Sequence, residues 1–241
     1  MENPLDSDKT MVLRPAAARG HATHGWLNSY HTFSFADYYD PKHMGFRSLR
    51  VINEDRIQGG MGFGVHPHAD MEIISYVVSG GLEHKDSMGN KTVILPDEVQ
   101  IMSAGNGVTH AEMNHFKDQE THFFQIWILP AKKGSHPRYG QRSFKAEFAK
   151  QDLTLVVSQD KRNGSLGIDQ DVDIHIGRLK TSKNIDLKVR SGRHLWVQMI
   201  SGEVEISKVI LGAGDGLTIS NVNDVPIEAK KDAEFILFDL N

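Results

Sequence analysis

Gly60-Met61-Gly62-Phe63-Gly64-Val65-His66-Pro67-His68-Ala69-Asp70-Met71-Glu72-Ile73-Ile74-Ser75-Tyr76-Val77-Val78-Ser79-Gly80 is the stretch on which the fold turns. Glycines mark both ends, the apolar run 71–78 reads as a strand, and His66 and His68 stand two residues apart. In a strand, residues i and i+2 share a face, roughly 7 Å apart along the chain. The two imidazoles can therefore converge on one point. Further short apolar segments lie at 49–52, 92–95, 98–102, 122–129, 153–158, 195–200, 203–207, 216–220 and 234–240. Turn signals such as Gly80-Gly81, Gly89-Asn90, Pro96-Asp97, Asn163-Gly164 and Ser201-Gly202 separate them. No long segment of helical period appears, so the pattern reads as an all-β sandwich or barrel.

An internal repeat extends this. Val78-Ser79-Gly80-Gly81-Leu82-Glu83 resembles Ile200-Ser201-Gly202-Glu203-Val204-Glu205. Residues 91–98 are echoed by 208–215, and 123–129 by 234–240. Two tandem copies of one β-barrel follow, with a seam near 130–140, where Lys132, Lys133, Gly134, Ser135 and Pro137 cluster. The expected division is a disordered leader at 1–10, a first barrel at 11–135 and a second at 136–241.

Composition narrows the chemistry. The 241 residues carry 27 Lys and Arg against 31 Asp and Glu, 13 His and no Cys. Without cysteine there is no disulfide, thiolate metal site or thiol nucleophile. The formal net charge of -4 argues against a general binder of nucleic acid or anionic membranes. No apolar run approaches the ~20 residues of a membrane helix, and residues 1–10 lack the pattern of a secretory signal. A cytoplasmic protein is expected.

A second histidine group, Gly107-x2-His110-Ala111-Glu112-Met113-Asn114, gives the first a partner. His110 and Glu112 share a strand face as His66 and His68 do. Two such strands lining a barrel could hold one ion through three imidazoles and a carboxylate, leaving positions open for a reactant. By strand parity Glu72 competes with Glu112 for the fourth place. Lone imidazole pairs in β proteins are usually structural. His21, His24 and His31 read as satisfying backbone groups of an N-terminal arm, and His43, His84, His115, His122, His136 and His175 as surface or core. Residues 59–64 lack the lysine and helix of a phosphate loop and read as a strand entry. Phe123, Trp127 and Trp196 read as barrel core.

These motifs resemble the cupin superfamily, with three departures. Gly80 falls one residue late, and Gly105 and Val99 stand where proline and glycine are usual in the second motif. A closer resemblance, to the bacterial pirin family, covers nearly the whole chain after Thr10. It is carried by Arg19-Gly20-His21, His24-Gly25-Trp26-Leu27, His31-Thr32-Phe33-Ser34-Phe35-Ala36, Arg50-Val51-Ile52-Asn53-Glu54-Asp55, His66-Pro67-His68-Ala69-Asp70-Met71-Glu72, His84-Lys85-Asp86-Ser87-Met88-Gly89-Asn90 and Pro137-Arg138-Tyr139. The resemblance implies a bicupin of two tandem jelly-roll (double-stranded β-helix) barrels, with one metal in the first. It also implies quercetin 2,3-dioxygenase-like activity in several members and a coregulator role in animal ones. Pirins use the glutamate of the H-x-E unit, which assigns His66, His68, His110 and Glu112 as ligands and leaves Glu72 as a pocket or supporting group.

The expected cofactor is one divalent transition metal, Fe(II) first, with Mn, Ni, Cu or Zn also compatible with these ligands. Glu112 doubles as the catalytic base, and the reactants are a flavonol-like planar aromatic and O2. A monomer is expected. The alternatives are a redox- or metal-sensing regulator with a protein partner, or a metal-assisted isomerase or hydrolase. The second copy sets Lys188, Arg190 and His194 opposite His66, His68 and Glu72, so no metal is expected there.

Overall fold

The computed structural model describes residues 10–241. The expected leader lies outside the described residues except for Thr10, whose carbonyl accepts the Ser220 N–H at 2.8 Å. Strands follow one another as β1 (Met11–Arg14), β2 (Gly20–Thr23), β3 (Leu27–His31), β4 (Leu49–Ile57), β5 (Gly62–His68), β6 (Glu72–Ser79), β7 (Leu82–Asp86), β8 (Lys91–Ile94), β9 (Glu98–Ser103), β10 (Val108–Asn114) and β11 (Thr121–Ile128). After them come β12 (Arg138–Ser143), the short helix α1 (Lys145–Phe148), β13 (Leu153–Ser158), β14 (Leu166–Gly167), β15 (Val172–Leu179), β16 (Asn184–Lys188), β17 (His194–Ser201), β18 (Glu203–Ile206), β19 (Val209–Gly212), β20 (Gly216–Ile219), β21 (Asp224–Ala229) and β22 (Ala233–Leu240). No helix of the described residues is long and apolar enough to cross a membrane.

Each barrel pairs a seven-stranded sheet with a four-stranded one. The first uses β12-β9-β6-β11-β4-β3-β2 and β5-β10-β7-β8; the second uses β1-β20-β17-β22-β15-β13-β14 and β16-β21-β18-β19. Alternation along the long strands separates two kinds of core. Phe124, Ile126 and Ile128 of β11 meet Ile236, Phe238 and Leu240 of β22 in one apolar layer between the large sheets, where Trp196 is also buried. The alternate residues face the barrel interiors. In the second barrel, Val197, Phe235 and Leu237 pack against Val204, Leu211 and Ile227 of the small sheet. In the first, the apolar interior is split between a cluster around Leu27, Ile57 and Phe123 and another around Ile73, Met102 and Val108.

The chain exchanges strands between the two barrels, across the expected division. β1 pairs with β20, Met11 opposite Ile219 and Arg14 opposite Gly216, so residues 11–14 belong to the second barrel's sheet. β12 pairs with β9, Arg138 opposite Ser103, so residues 138–143 belong to the first. A cut at 135 would strip a strand from each large sheet and leave its edge amides and carbonyls unpaired.

Arg14 ties the two barrels together. It is 3% exposed, and its Nε and Nη2 donate to the Thr32 carbonyl at 3.2 Å and the Tyr38 hydroxyl at 2.8 Å. Arg14→Ala is expected to lower stability by on the order of 2–3 kcal/mol, since both bonds come from a charged donor. Urea unfolding should show this as a lower midpoint at unchanged slope; an unmoved midpoint would show that the tie contributes nothing.

Candidate metal centre

Three neighbouring strands of the first small sheet turn polar side chains inward. Register sets His110 of β10 between His66 of β5 and Asp86 of β7, and Glu112 beside His84. Between those rows β5 carries one extra residue, so Glu112 stands opposite Phe63. Such a bulge re-aims the side chains around it. At Gly62 a Cβ would lie 2.3 Å from the Glu112 carbonyl and 2.6 Å from the Met113 Cα. Only glycine lets the strands approach so closely there.

The rings of His66, His68 and His110 pack with centroids 4.4–4.9 Å apart, and their ligating atoms lie within 4.8 Å of one another. His66 Nδ1–H donates to the Gly64 carbonyl at 2.8 Å. That bond fixes the tautomer and leaves Nε2 as a lone pair. His110 is 2% exposed, yet neither of its ring nitrogens has a hydrogen-bond partner. A borderline transition metal is a group that would satisfy such nitrogens, so the residues fit one.

Glu112 is held from the facing sheet. Gln125 Nε2 donates to its Oε2 at 2.5 Å and Ser75 Oγ to its Oε1 at 3.3 Å. These two belong to a polar row, Gln100-Ser75-Gln125-Asn53-His31, that crosses β9, β6, β11, β4 and β3 in register. In this orientation the carboxylate groups with His84 and His110, all within 4.8 Å, while the three-histidine group forms without it.

His84, read from sequence as an ordinary core or surface histidine, is thus part of the cluster. It is fully buried, its Nε2 bonds Asp86 Oδ2 at 3.0 Å, and its Nδ1 is unpartnered. The signal was present in His84-Lys85-Asp86, whose alternation puts both polar side chains on the inner face.

Burial, reinforced by the neighbouring imidazoles, lowers His110 to about 3 and His68 to about 4. Burial raises Glu112 to about 7 against the opposing bonds from Gln125 and Ser75. His68 and His110 are therefore neutral at pH 7, and the carboxyl is poised near half-ionisation.

Beside the cluster opens a cavity of about 750 Å³ lined by Trp26, Phe35, Phe63 and Trp127. Trp127 meets His68 edge-on at 5.0 Å, so it forms a cavity wall as well as core. His21, His24 and His31 also line the cavity. His21 and His31 bond Asn28 and Asn53 side chains, at 2.7 and 2.8 Å, rather than the expected backbone groups. Glu72 is on the other side of the sheet. Asp70, at φ 50°, turns the chain before β6, and Glu72 shares its face with Ile74 and Tyr76 of the inter-barrel core. Its Oε2 accepts from Ser103 Oγ at 2.7 Å. The parity argument fails because the turn separates two strands.

In the second barrel, Lys188 pairs with Asp224, and His194 Nδ1 bonds Ser220 Oγ at 2.8 Å.

The shifts set the pH dependence. A lowered His68 and His110 stabilise metal-free protein fully above about pH 6.5 and lose that contribution as pH falls toward their folded values; the raised Glu112 acts oppositely, its contribution fading as pH rises from about 4.5 through 7. Between pH 6.5 and 8, metal binding should release a proton from Glu112 and none from His68 or His110. Affinity measured by competition titration should rise with pH toward 7 and flatten above it, and Glu112→Gln should abolish that rise. A steady tenfold gain per pH unit beyond about 8 would contradict this.

Comparison with known proteins supplies the family. The Pirin family profile matches residues 12–128, and that of the quercetinase C-terminal cupin domain matches residues 155–240. A quercetin 2,3-dioxygenase of Escherichia coli K12 is 49% identical over 230 residues, covering 95% of this chain and 98% of that protein. The crystal structure of YhhW from Escherichia coli superposes with a TM-score of 0.93 at 48% identity, covering 96% of this chain and 97% of that one. A second structure, described as bacterial pirin YhhW in complex with nickel(II), gives 0.91 at 47% identity, with 95% and 98% covered. The inward-facing histidines, the paired barrels and these matches agree, and the chain belongs to the pirin family, with the bicupin fold.

Proposed function

We propose that this protein is a metal-dependent dioxygenase of the quercetin 2,3-dioxygenase type, with His66, His68, His110 and Glu112 holding one divalent ion, Fe(II) in the first instance. The observation that carries this reading is the juxtaposition of unpartnered buried imidazole nitrogens with a largely aromatic cavity. The relatives named for quercetin dioxygenation and for nickel(II) binding support it. When bound, the ion supplies a Lewis acid that acidifies a substrate hydroxyl and a redox partner for O2.

The chain's own residues do the rest. Trp26, Phe35, Phe63 and Trp127 line a slot suited to a planar flavonol-like substrate and limit water beside the reacting atoms. Burial raises Glu112 to about 7 in the metal-free protein; as a carboxylate beside the ion it can accept the proton of a substrate hydroxyl. Gln125 and Ser75 hold its two oxygens in the orientation that faces His84 and His110, and the carboxylate turns from it to join His66 and His68 on one ion. To the second barrel we assign no metal; its interior is packed with apolar side chains and its role is to support the first.

Protein loaded with Fe(II) should consume a flavonol and O2 together. His66→Ala should lose bound metal and at least about 100-fold in rate, given that removing a ligand and its positioning disables the reacting centre. Chelation should silence the wild type, and metal should restore it. Flavonol-dependent O2 uptake that persists in His66→Ala or in chelated protein would overturn the proposal.

A further inference from the structure

The cavity wall formed by β3 and β4 carries a second polar group that the metal cluster does not use. Ser29 stands opposite Asp55, and His31 opposite Asn53. All four line the cavity and are 2–4% exposed. Ser29 Oγ donates to Asp55 Oδ1, while His31 Nδ1 and Asn53 Oδ1 are engaged with each other at 2.8 Å. Burial raises the Asp55 carboxyl to about 7; once ionised it has about four acceptor positions, and Ser29 fills one of them.

Among the described residues no cation completes Asp55. The charged groups acting on it are Glu112 and Glu54. Glu54 points to the other face of β4, where it is bonded by Arg19 at 2.8 Å and His122 at 3.0 Å. The remaining acceptor capacity therefore opens on a cavity with largely aromatic walls. A buried acceptor of this kind favours a ligand that brings a hydrogen-bond donor and disfavours one that lacks it.

The position suits a second contact with one ligand. Asn53 is directly opposite Gln125, which holds Glu112, and Asp55 is the next inward residue along β4. Gln125 and Asp55 are thus diagonal neighbours, about 7–8 Å apart by sheet geometry. A planar aromatic with hydroxyls on more than one ring can span that interval.

We propose that Asp55, held by Ser29, is a specificity-determining residue that accepts a hydrogen bond from a substrate phenol other than the one presented to the metal ligands. This rests on reading the cavity as a flavonol site. It deepens that reading by naming a polyhydroxylated flavonol rather than a bare one as the preferred class.

The test compares quercetin with 3-hydroxyflavone, which keeps the enol hydroxyl and lacks the ring hydroxyls. Binding is followed under nitrogen by quenching of tryptophan fluorescence, since Trp26 and Trp127 line the cavity. The metal-loaded wild type should prefer quercetin by about tenfold or more, the scale of a hydrogen bond to a charged acceptor. Asp55→Ala should bring that ratio close to one while leaving metal content and 3-hydroxyflavone affinity unchanged. Should that variant fail to fold, Asp55→Asn keeps the volume and should cut the ratio by at least about threefold, amide acceptors being weaker than carboxylates.

A preference that survives both substitutions overturns the proposal, as does an equal loss for both flavonols or a wild type that binds neither. Oxygen uptake is measured in parallel. A wild type that shows the Asp55-dependent preference yet consumes no O2 upholds this assignment and refutes the dioxygenase reading alone.

Discussion

A buried imidazole nitrogen without a hydrogen-bond partner costs about 1–3 kcal/mol, and His110 has both nitrogens in that state, with His84 Nδ1 a third beside them. The sheet architecture forces this. β5, β10 and β7 run side by side, so the inward positions of each strand become neighbours across the sheet. Six polar side chains then share one face, four of them, His84, Asp86, His110 and Glu112, buried from solvent. A bound cation answers several of these unmet demands at once, and the neutral state of His68 and His110 prepares them for it. The opposing sheet adds its own polar row, with Gln125 and Ser75 on Glu112 at its centre.

Such an interior contributes little to stability, and the fold places the stabilising burial elsewhere. The two large sheets stack on the apolar layer that includes Phe124, Ile126, Trp196, Ile236 and Phe238, and the second barrel is filled with aliphatic and aromatic side chains. That burial gives the first barrel a rigid back wall. β1 and β12 lock the arrangement by each completing the other barrel's sheet. The first barrel can thus keep a cavity and a polar floor while hydrocarbon fills the second.

Much of this was legible in the residues. The strand at 153–158 was expected with the bounds it has, and alternation paired His66 with His68 and His110 with Glu112, the two pairs being joined by the expected barrel and the family resemblance. Expectation failed where structure depends on distant pairing or on polar strands. The segment 49–52 continues to Ile57, and the polarity of Asn53 and Asp55 marks a cavity wall rather than a strand end. β16, at the edge of the second small sheet, and its neighbour β21 carry too many charges to stand out from loops. Nothing local to Met11–Arg14 says that its partner is β20, more than 200 residues away. Glu72 illustrates the opposite error: a count of residues suggested a shared face, and one left-handed residue, Asp70, broke it.

The central claim is that the three histidines of β5 and β10, with Glu112, form the metal centre. A crystal of this protein loaded with Fe(II), measured at the iron absorption edge, tests it most directly. The account predicts a single anomalous peak in each chain, bonded by His66, His68 and His110, with the Glu112 carboxylate turned to join them. A peak bonded by His84, His110 and Glu112 without His66 and His68, or a first barrel with no peak, would contradict it.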